Sequence, residues 1–501
     1  MKTRTLLSLF ALLSLSLVSC VKDNVDVRNI VYTDDEYAAI STVLNLPNDR
    51  VSFEVSLPQH MKNLGMTPPA ISDAKATLGR VLFYDKQLSR NLSVSCASCH
   101  QQDLAFADSK RFSEGFNGEL TLRNSLALGS VANFKSSYEG GSTFNGQQQF
   151  FFWDERAHSI QEQSALTLQD NIEMGMDLND LCQRLSEEEY YRVLFRKAYG
   201  TDVIQPALVT EALQEFVNAI VSTSTRFDEG ISSVNGDPFR NFPNYTQAEN
   251  MGRNLFVQHC SSCHGANMSI SPEKVANNGL DEVYGDEGVG GITNQLEDIG
   301  KFKVPFLRNI ALTAPYMHDG RFQTLEEVVE HYDQHLQPHA NLDPILRDLG
   351  NVRPGYLDLS ASEKTALVAF LHTFTDTALT TDPQYANPFT SLGLREQPIA
   401  ALPRLFVLGE NFPNPFNGQT EMVLTVLRTA QIRVSILDIL GREVRILKEG
   451  TLSAGRHQLR WDGTDNQGMA LSGGIYFCRA LSLESNPGAT APQVKKVVLL
   501  K

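Results

Sequence analysis

The fold is decided by two related stretches: Leu78-Gly-Arg-Val-Leu-Phe83 followed by Cys96-Ala-Ser-Cys99-His100, and Met251-Gly-Arg-Asn-Leu-Phe256 followed by Cys260-Ser-Ser-Cys263-His264. In both, a segment with helical spacing of apolar residues precedes a Cys-x-x-Cys-His motif. Because both parts recur in the same order, the sequence predicts a duplicated unit. Each copy would consist of a first helix, a loop that carries the motif, and a distal segment.

The Cys-x-x-Cys-His spacing is the attachment signal of c-type haem, in which two thiols bind the porphyrin covalently and the adjacent histidine ligates iron. A zinc site would need a further ligand at a different spacing. A thioredoxin-like thiol pair would not need a histidine in both copies. The motifs therefore predict two covalent haems, held by Cys96, Cys99, Cys260 and Cys263, with His100 and His264 as axial ligands.

Length and composition limit the class of protein. The 501 residues suffice for several domains. With 42% hydrophobic and 20% charged residues the composition is that of a globular chain, which excludes wholesale disorder and a polytopic membrane protein. The net charge of −15 gives no electrostatic reason to bind nucleic acid. Seven cysteines are too few for a disulfide-dense scaffold.

The N-terminus predicts export. Residues 1–19 have a basic start and a short apolar run, as in a signal peptide. Leu17-Val18-Ser19-Cys20 resembles a bacterial lipobox, so Cys20 would carry a lipid anchor; the alternative is a simple signal peptide in which Cys20 is incidental. We therefore expect the protein in the cell envelope, in the periplasm or at the outer membrane or cell surface. Residues 20–71 would form a tether and lead-in.

Periodicity predicts mainly helices up to residue 376 and strands after residue 404. Predicted helices are Asp73–Phe83, Ala207–Thr223, Thr246–Gln258, Thr324–Gln334 and Ser360–Phe374; predicted strands are Thr420–Val426, Ile432–Ile439, Arg456–Trp461, Ile475–Ala480 and Val494–Lys501. The turn Asn235-Gly-Asp-Pro238 suggests a domain boundary. We therefore predict a mainly α fold of two tandem cytochrome-c-like haem domains (72–238 and 239–376), a linker (377–403) and a small Ig-like β-sandwich (404–501).

Over residues 72–376 the chain resembles the bacterial dihaem cytochrome c peroxidases and their relative MauG. The resemblance rests on segments that occur in the family's order: Leu78–Asp85, Arg123-Asn124-Ser125, Phe152-Trp153-Asp154-Glu155-Arg156-Ala157, Asn171-Ile-Glu-Met-Gly175 and Pro315-Tyr-Met-His-Asp-Gly320. It implies that the first haem reacts with hydrogen peroxide and that the second relays electrons from a small donor protein, a cytochrome c or a copper protein.

The resemblance also implies roles for individual residues. Trp153 matches the tryptophan between the two haems, and Gln163 and Glu173 match the glutamine and the catalytic glutamate of the peroxide pocket. In the typical peroxidases a histidine that caps the resting first haem lies sixteen residues past the haem histidine. Here that position is Phe116, and no histidine lies between His100 and His158. We therefore expect the first haem to be five-coordinate, as in MauG.

The second haem needs a distal ligand. Tyr332 stands where the typical enzymes have methionine and MauG has tyrosine, with Met317 as the fallback and His331 and His335 as weaker candidates. The resemblance further implies one calcium ion between the domains, held by Asn124, Thr313 and Pro315. Oxygen ligands of this kind suit a hard cation.

The C-terminal region resembles a type A sorting domain of the type IX secretion system, on segments such as Asn411-Phe-Pro-Asn-Pro-Phe-Asn-Gly418, Trp461-Asp-Gly463 and Gly473-Gly-Ile-Tyr476. The alternative is an accessory carbohydrate-binding or adhesive sandwich. The resemblances thus add the type IX secretion machinery and a homodimer to the partners we consider. Cys182 and Cys478 have no predicted partner and are expected to be buried thiols.

The sequence favours an enzyme that reduces hydrogen peroxide. Two alternatives stay open: a MauG-like oxidase that uses peroxide to oxidise a protein or another substrate, and a non-enzymatic electron-transfer cytochrome at the cell surface. A pure carrier would have no use for an open coordination site or for Glu173.

Overall fold

A computed structural model describes residues 31–129, 135–136, 150–265, 275–348 and 354–390, and most of 406–500, with gaps at 410, 412, 427, 439–440 and 484–492. The predictions for the signal peptide (1–19) and for Cys20 lie outside these residues. The chain divides into two units, 1–393 and 394–501, which are described separately. None of the helices in the described part of the chain has the length and apolarity needed to cross a bilayer.

The first unit is helical. Its helices are α1 Asp34–Ser41, α2 Gln59–Asn63, α3 Asp73–Tyr84, α4 Ile160–Gln169, α5 Leu178–Ser186, α6 Glu189–Tyr199, α7 Pro206–Ala219, α8 Arg226–Ser233, α9 Gln247–His259, α10 Ser261–His264, α11 Gly290–Thr293, α12 Leu325–Gln334, α13 Ala361–His372 and α14 Thr377–Thr381. Two short antiparallel pairs join loops: β1 Met66–Thr67 with β2 Lys135–Ser136, and β3 Val275–Ala276 with β4 Phe302–Lys303.

The five predicted helices are present, with ends that differ from the prediction by no more than four residues. Several begin where a side chain satisfies the free backbone N–H groups of the first turn. Thr246, Thr324 and Ser360 form capping boxes with Glu249, Glu327 and Glu363 respectively. These Thr/Ser-x-x-Glu patterns fix the starts of α9, α12 and α13.

The two repeats are built around the same helix crossing. In the first repeat, a Cβ atom on Gly79 of α3 would lie 1.9 Å from the carbonyl oxygen of Ala212 in α7. In the second, a Cβ atom on Gly252 of α9 would lie 1.9 Å from the carbonyl oxygen of Ala366 in α13. The helices can approach this closely only because both positions are glycine. The recurring Gly-Arg of the sequence thus marks the crossing point of each repeat.

Aromatic pairs follow the glycines in both repeats. Phe83 packs on Phe216 with ring centroids 5.2 Å apart, and Phe256 packs on Phe370 with centroids 5.3 Å apart. Each pair is fully buried. The duplication predicted from the sequence therefore extends to the packing of the two cores.

The boundary between the two cores differs from the predicted one at residue 238. Helix α8 already belongs to the second core, because the ring of Phe227 packs on Phe374 at 5.1 Å and its N–H donates to the carbonyl of Thr373. The Asn235-Gly236 turn, where both residues have positive φ, follows α8 inside this repeat. Turn residues mark a change of chain direction, which here occurs within a domain and not between domains.

Parts of the predicted lead-in and of the predicted linker pack on the first repeat. In the lead-in, Ile40, Leu44 and Phe53 are buried in the first core. In the predicted linker, residues 377–390 return from the second repeat to the first, where Leu379 is buried and the hydroxyl of Tyr385 donates to the carbonyl of Ala219. In these segments apolar and polar residues alternate over stretches that are too short to give a periodic signal. The sequence therefore did not predict their packing.

The second unit consists of strands. They are β5 Phe406–Leu408, β6 Thr420–Val426, β7 Ala430–Leu437, β8 Glu443–Leu452, β9 Gly455–Trp461, β10 Gly474–Ser482 and β11 Gln493–Leu499. They form two antiparallel sheets, ordered β11-β10-β7-β8 and β5-β6-β9. Both sheets contribute to one core around Trp461, and Cys478 is buried there, whereas Cys182 is buried in α5 of the first unit.

The helix crossings give the first test. Gly79→Ala or Gly252→Ala should lower the free energy of unfolding by roughly 1–3 kcal/mol, because the new methyl group would overlap a backbone carbonyl that cannot move alone. Denaturant unfolding followed by circular dichroism measures the change. The matched control is Gly291→Ala in the short helix α11, where the nearest atom to the added Cβ is 3.7 Å away. Equal stability of all three variants would contradict the crossing as described.

Candidate functional site

The first Cys-x-x-Cys-His motif lies on a single helical turn, Cys96–Ser98. Its histidine is oriented through contacts at one ring nitrogen. Nδ1 of His100 lies 3.0 Å from the carbonyl oxygen of Phe106 and 3.3 Å from Oγ of Ser125. A carbonyl at Nδ1 requires that nitrogen to carry the proton, so Nε2 is left as the ligating atom.

The second motif repeats this arrangement at the end of α9. Nδ1 of His264 lies 3.1 Å from the carbonyl oxygen of Pro305, which again leaves Nε2 to act as a ligand. Burial raises the pKa of the Cys96 and Cys260 thiols to about 12. The sequence did not show which carbonyls would orient the two histidines, because both lie in loops with no pattern of their own.

A cavity of about 240 Å³ adjoins the second motif. Its walls are largely apolar and include Phe256, Phe306 and Leu371, and Cys260, Cys263 and His264 lie at one side. An apolar cavity that presents two thiols and an imidazole whose Nδ1 faces a backbone carbonyl fits a covalently bound c-type haem. In the described part of the chain, no group of three or more His, Cys, Asp or Glu side chains forms a competing metal site.

Both leading candidates for the distal ligand line this cavity. The amide Nδ2 of Asn278 lies 3.4 Å from Sδ of Met317 and 3.4 Å from the hydroxyl of Tyr332. Burial raises the pKa of Tyr332 to about 12. Asn278 was not predicted from the sequence, since a lone asparagine in a loop gives no signal.

The two histidine candidates are engaged elsewhere. Nε2 of His331 lies 3.0 Å from the carbonyl oxygen of Asn278, and Nδ1 of His335 lies 3.2 Å from that of Glu330 at the end of α12. Neither lines the cavity. Of the four residues considered, the structure brings Tyr332 and Met317 to the site.

Trp153 lies where the two repeats meet. Its indole Nε1 donates to the carbonyl of Asn124 at 2.8 Å, and its own carbonyl accepts from the N–H of Lys303, which belongs to the second repeat. The ring also lines the cavity of the second motif. Because Trp153 is held by hydrogen bonds at both its backbone and its ring, its orientation between the repeats is fixed.

Glu173 lies on the turn between α4 and α5, close to the first motif. Its negative charge contributes to the raised pKa values of both Cys96 and Cys99, which places the carboxyl near the two thiols. Burial first, and then the charge of Asp170, raise the pKa of Glu173 to about 7, while Thr167 and Arg156 act in the opposite direction. A carboxyl with this pKa can accept and return a proton near neutral pH.

The turn that carries Glu173 is fixed by Asp170, whose Oδ1 accepts from the N–H groups of Ile172 and Glu173 at 2.8 and 3.0 Å. Gln163 is half-buried on α4, one turn before Thr167, so the two share a helix face. Thr167 in turn hydrogen-bonds Glu173. Glu173 and Gln163 were identified from the sequence only by their register with Trp153. The Asp170-x-x-Glu173 spacing is the local signal that predicts the supporting turn.

Phe116 lies beside Glu173. Its N–H donates to the carbonyl of Glu173 at 3.0 Å, and its ring lies against Gly175, where an added Cβ atom would lie 2.4 Å from Cε1. At Gly115, an added Cβ would lie 1.6 Å from the carbonyl oxygen of Ile172. Two glycines therefore bring the loop of Phe116 into contact with the turn of Glu173.

The three positions predicted to hold calcium lie near the second motif. Asn124, Thr313 and Pro315 all line the cavity of the second motif. The side-chain amide nitrogen of Asn124 lies 3.2 Å from the carbonyl oxygen of Lys110 and 3.4 Å from that of Arg111. Asn124, Thr313 and Pro315 offer only neutral side-chain and backbone oxygens, and the calcium ion stays a prediction.

Comparison with known proteins agrees with this geometry. The family model of the di-haem cytochrome c peroxidases matches residues 73–235. The methylamine utilization protein MauG of Paracoccus denitrificans is 30% identical over 355 residues, covering 61% of this chain and 89% of that protein. Cytochrome c551 peroxidase of Nitrosomonas europaea is 31% identical over 260 residues, covering 51% and 71%.

A solved structure gives the same result. The crystal structure of a MauG-like protein associated with microbial copper homeostasis has a TM-score of 0.55 and 28% identity, and the match covers 68% of this chain and 99% of that one. The chain belongs to the family of di-haem cytochrome c peroxidases and MauG. Membership confirms the predicted peroxide-acting oxidoreductase class and implies two haems.

The C-terminal unit matches a different family model, that of the FlgD Ig-like domain, over residues 412–483. This agrees with the two packed sheets. It is not a match to a sorting domain, so the assignment to type IX secretion stays a prediction.

Removal of the thiols tests the haem count. The double variant Cys260→Ala/Cys263→Ala should carry one covalent haem in place of two, because the second site loses both thioether positions. Intact-mass spectrometry of the denatured holoprotein measures the number of haems. Cys182→Ala, which removes a buried thiol outside both motifs, should keep two. Two haems in the double variant would disprove the assignment.

Proposed function

We propose that this protein is a dihaem c-type peroxidase that reduces hydrogen peroxide to water with electrons delivered through the second repeat by a small redox protein. The observation that carries the proposal is the Glu173 carboxyl, with a pKa of about 7, near the thiols of the first motif. When bound, the haems supply iron that binds peroxide and accepts electrons. The residues around them control protons, access and orientation.

Glu173 acts as the proton-transferring group. Its carboxylate takes the proton from one peroxide oxygen and returns it to the oxygen that leaves as water. Asp170 holds the turn, and Thr167 hydrogen-bonds the carboxyl, so the carboxyl is positioned before peroxide arrives. Gln163, on the same face of α4 as Thr167, orients the peroxide by hydrogen bonding.

Phe116 keeps the first site accessible. A phenyl ring cannot ligate iron, so no side chain at this position has to be displaced before peroxide enters. The contacts of Phe116 with Glu173 and Gly175 support this role, because they hold the ring in place. Another group of the loop therefore has little room to take the position of the ring. With phenylalanine at this position, the first haem would keep a coordination site open to peroxide and would need no reductive activation.

Trp153 carries electrons between the repeats. Its position between Asn124 and Lys303 supports this role. At the second haem we favour Tyr332 as the distal ligand, with Met317 as the fallback, because the hydroxyl lies among the groups of the second motif. A thioether would raise the reduction potential of this haem, whereas a phenolate would lower it.

A second candidate function is MauG-like oxidation of a protein or another substrate with peroxide. Phe116 and Tyr332 favour it, since both match MauG and not the typical peroxidases, and MauG proteins are among the relatives. A non-enzymatic carrier is the weakest candidate, because it has no use for a carboxyl poised near neutral pH beside the first motif.

Several further features belong to the same proposal. The net charge of −15 suits a basic donor protein, which long-range attraction would steer to the surface. One calcium ion would be held by Asn124, Thr313 and Pro315. The protein would be exported to the cell envelope, anchored through Cys20 and recognised by type IX secretion through its C-terminal unit. A homodimer is the assembly we would test first.

The proton-transfer role predicts a pH dependence. The second-order rate of reaction with peroxide should rise as pH increases through about 7, because only the deprotonated carboxylate can accept a proton. Glu173→Gln should lower this rate by roughly 10²-fold or more and remove the pH step. Stopped-flow absorbance across pH 5–9 gives both values. Glu162→Gln, an exposed carboxylate on α4, is the control, and the same loss in both variants would refute a specific role for Glu173.

The distal ligand of the second haem can be assigned by substitution. Tyr332→Phe should change the absorption and EPR spectra of this haem, and Met317→Leu should leave them unaltered. The reason is that only the ligating atom changes the iron's electronic state, although both side chains contact Asn278. The opposite result would assign Met317.

A further inference from the structure

A continuous series of aromatic rings leads from Trp153 to the protein surface. The ring of His318 is 6.5 Å from that of Trp153, and Phe302 stacks on His318 at 3.7 Å with an interplanar angle of 11°. Tyr284 lies 6.2 Å from Phe302, and His339 lies 5.2 Å from Tyr284. We call these five residues the ring series. Each ring has a neighbouring ring within contact distance, so no aliphatic layer interrupts it.

The ring series runs from the interior outward. Trp153 and Tyr284 are each 8% exposed, and Phe302 and Trp153 share one buried cluster with Tyr284. His339 is half-buried, and Val283, next to Tyr284 in the chain, is 83% exposed. Tyr284 is therefore the outermost oxidisable ring, since it lies directly beneath the surface.

The Tyr284 hydroxyl is held by fixed partners. It donates to Oδ1 of Asn277 at 3.1 Å and accepts from the N–H of Leu280 at 3.1 Å. The N–H of Gly279 also donates to Oδ1 of Asn277, which fixes the orientation of that amide. The hydroxyl therefore points its proton at a carbonyl oxygen that is fully buried with the rest of Asn277.

The Asn277 amide joins this hydroxyl to an imidazole. Its Nδ2 lies 3.2 Å from Nδ1 of His339, and the N–H of Asn341 donates to the same Nδ1 at 3.0 Å. Because Nδ1 faces two N–H donors, it is the unprotonated nitrogen of His339. A hydrogen-bonded path thus leads from the tyrosine hydroxyl through one amide to a free base near the surface.

We propose that Tyr284 is a redox-active side chain that returns one electron to oxidised Trp153. The proposal rests on the proposed function, which supplies peroxide as the oxidant. Tryptophan and tyrosine are the aromatic side chains most easily oxidised by one electron. In the ring series these are Trp153 and Tyr284, and both are buried. Phe302 and His318 lie between them and stay in their ground states.

The step balances in electrons and protons. Trp153 accepts one electron as a radical cation and becomes neutral; its Nε1 keeps its proton because its partner, the carbonyl of Asn124, is not a base. Tyr284 gives up that electron and its O–H bond breaks. The proton passes to Oδ1 of Asn277 while Nδ2 releases one to Nδ1 of His339. The products are a neutral tyrosyl radical, a His339 imidazolium ion and Asn277 as its imidic acid tautomer. When Tyr284 is reduced, Oδ1 of Asn277 gives its proton back to the tyrosine oxygen and His339 returns a proton to Nδ2, which restores the amide.

This route would allow excess oxidising equivalents to move from Trp153 to Tyr284, which lies beneath the protein surface. A reductant at this surface can then restore Tyr284 without reaching either haem.

Freeze-quench EPR of the fully loaded full-length protein, taken after one equivalent of hydrogen peroxide, tests the proposal. The wild type should show a tyrosyl radical. Tyr284→Phe should lose it and should prolong the tryptophan-derived signal at least several-fold. Tyr245→Phe is the matched control: Tyr245 lies in the same repeat and is also 8% exposed, but its hydroxyl donates to Thr373 outside the ring series. Its spectrum should match the wild type.

A second variant tests the proton path. His339→Gln should slow formation of the tyrosyl radical several-fold, because the amide would then have no base to receive the proton. The inference is overturned if peroxide is consumed and no tyrosyl radical forms, or if the radical persists in Tyr284→Phe. If peroxide is not consumed, the proposed function itself fails, and this inference fails with it.

Discussion

The close crossing of two helices in each repeat is the contact on which the rest of the first unit depends. Gly79 against Ala212 and Gly252 against Ala366 bring the helix before each haem motif into backbone contact with the last helix of its repeat. The phenylalanine pairs that follow fill the space beside each crossing. In each repeat the histidine of the motif then meets a backbone carbonyl, from Phe106 in one repeat and Pro305 in the other.

The two repeats are joined by charged groups that flank Trp153. Arg123 reaches Asp154 in its own repeat at 2.6 Å and Asp286 in the other at 2.7 Å. Inside the second repeat, the buried side chains of Arg308 and Asp228 form two hydrogen bonds of 2.6 Å. Loss of one partner of such a pair costs about 3–5 kcal/mol, because a charge is left buried without compensation. The ion pairs of Arg123 hold the two repeats together beside Trp153, and the pair of Arg308 and Asp228 stabilises the second core.

Sequence reasoning located the covalent and repeated features because each has a local pattern. The Cys-x-x-Cys-His spacing and the apolar periodicity of α3 and α9 are each defined by residues that lie close together in the chain. Glu173 and Gln163 were found only through their register with Trp153. Asn278, the orienting carbonyls and the turn built by Asp170 depend on loops that meet in space, and no local pattern encodes such meetings. The misplaced boundary at residue 238 has the same origin, since a turn looks alike within and between domains.

The return of residues 377–390 to the first repeat has a consequence for biosynthesis. The side chain of Gln102, two residues past the first haem histidine, donates to the carbonyls of Leu379 and Asp382, and Arg80 donates to that of Ala386. A chain made from its N-terminus therefore cannot complete its first repeat until the second has been synthesised. Until then, the backbone carbonyls that accept from Gln102 and Arg80 have not been made, so the segment beside the first haem motif lacks these partners.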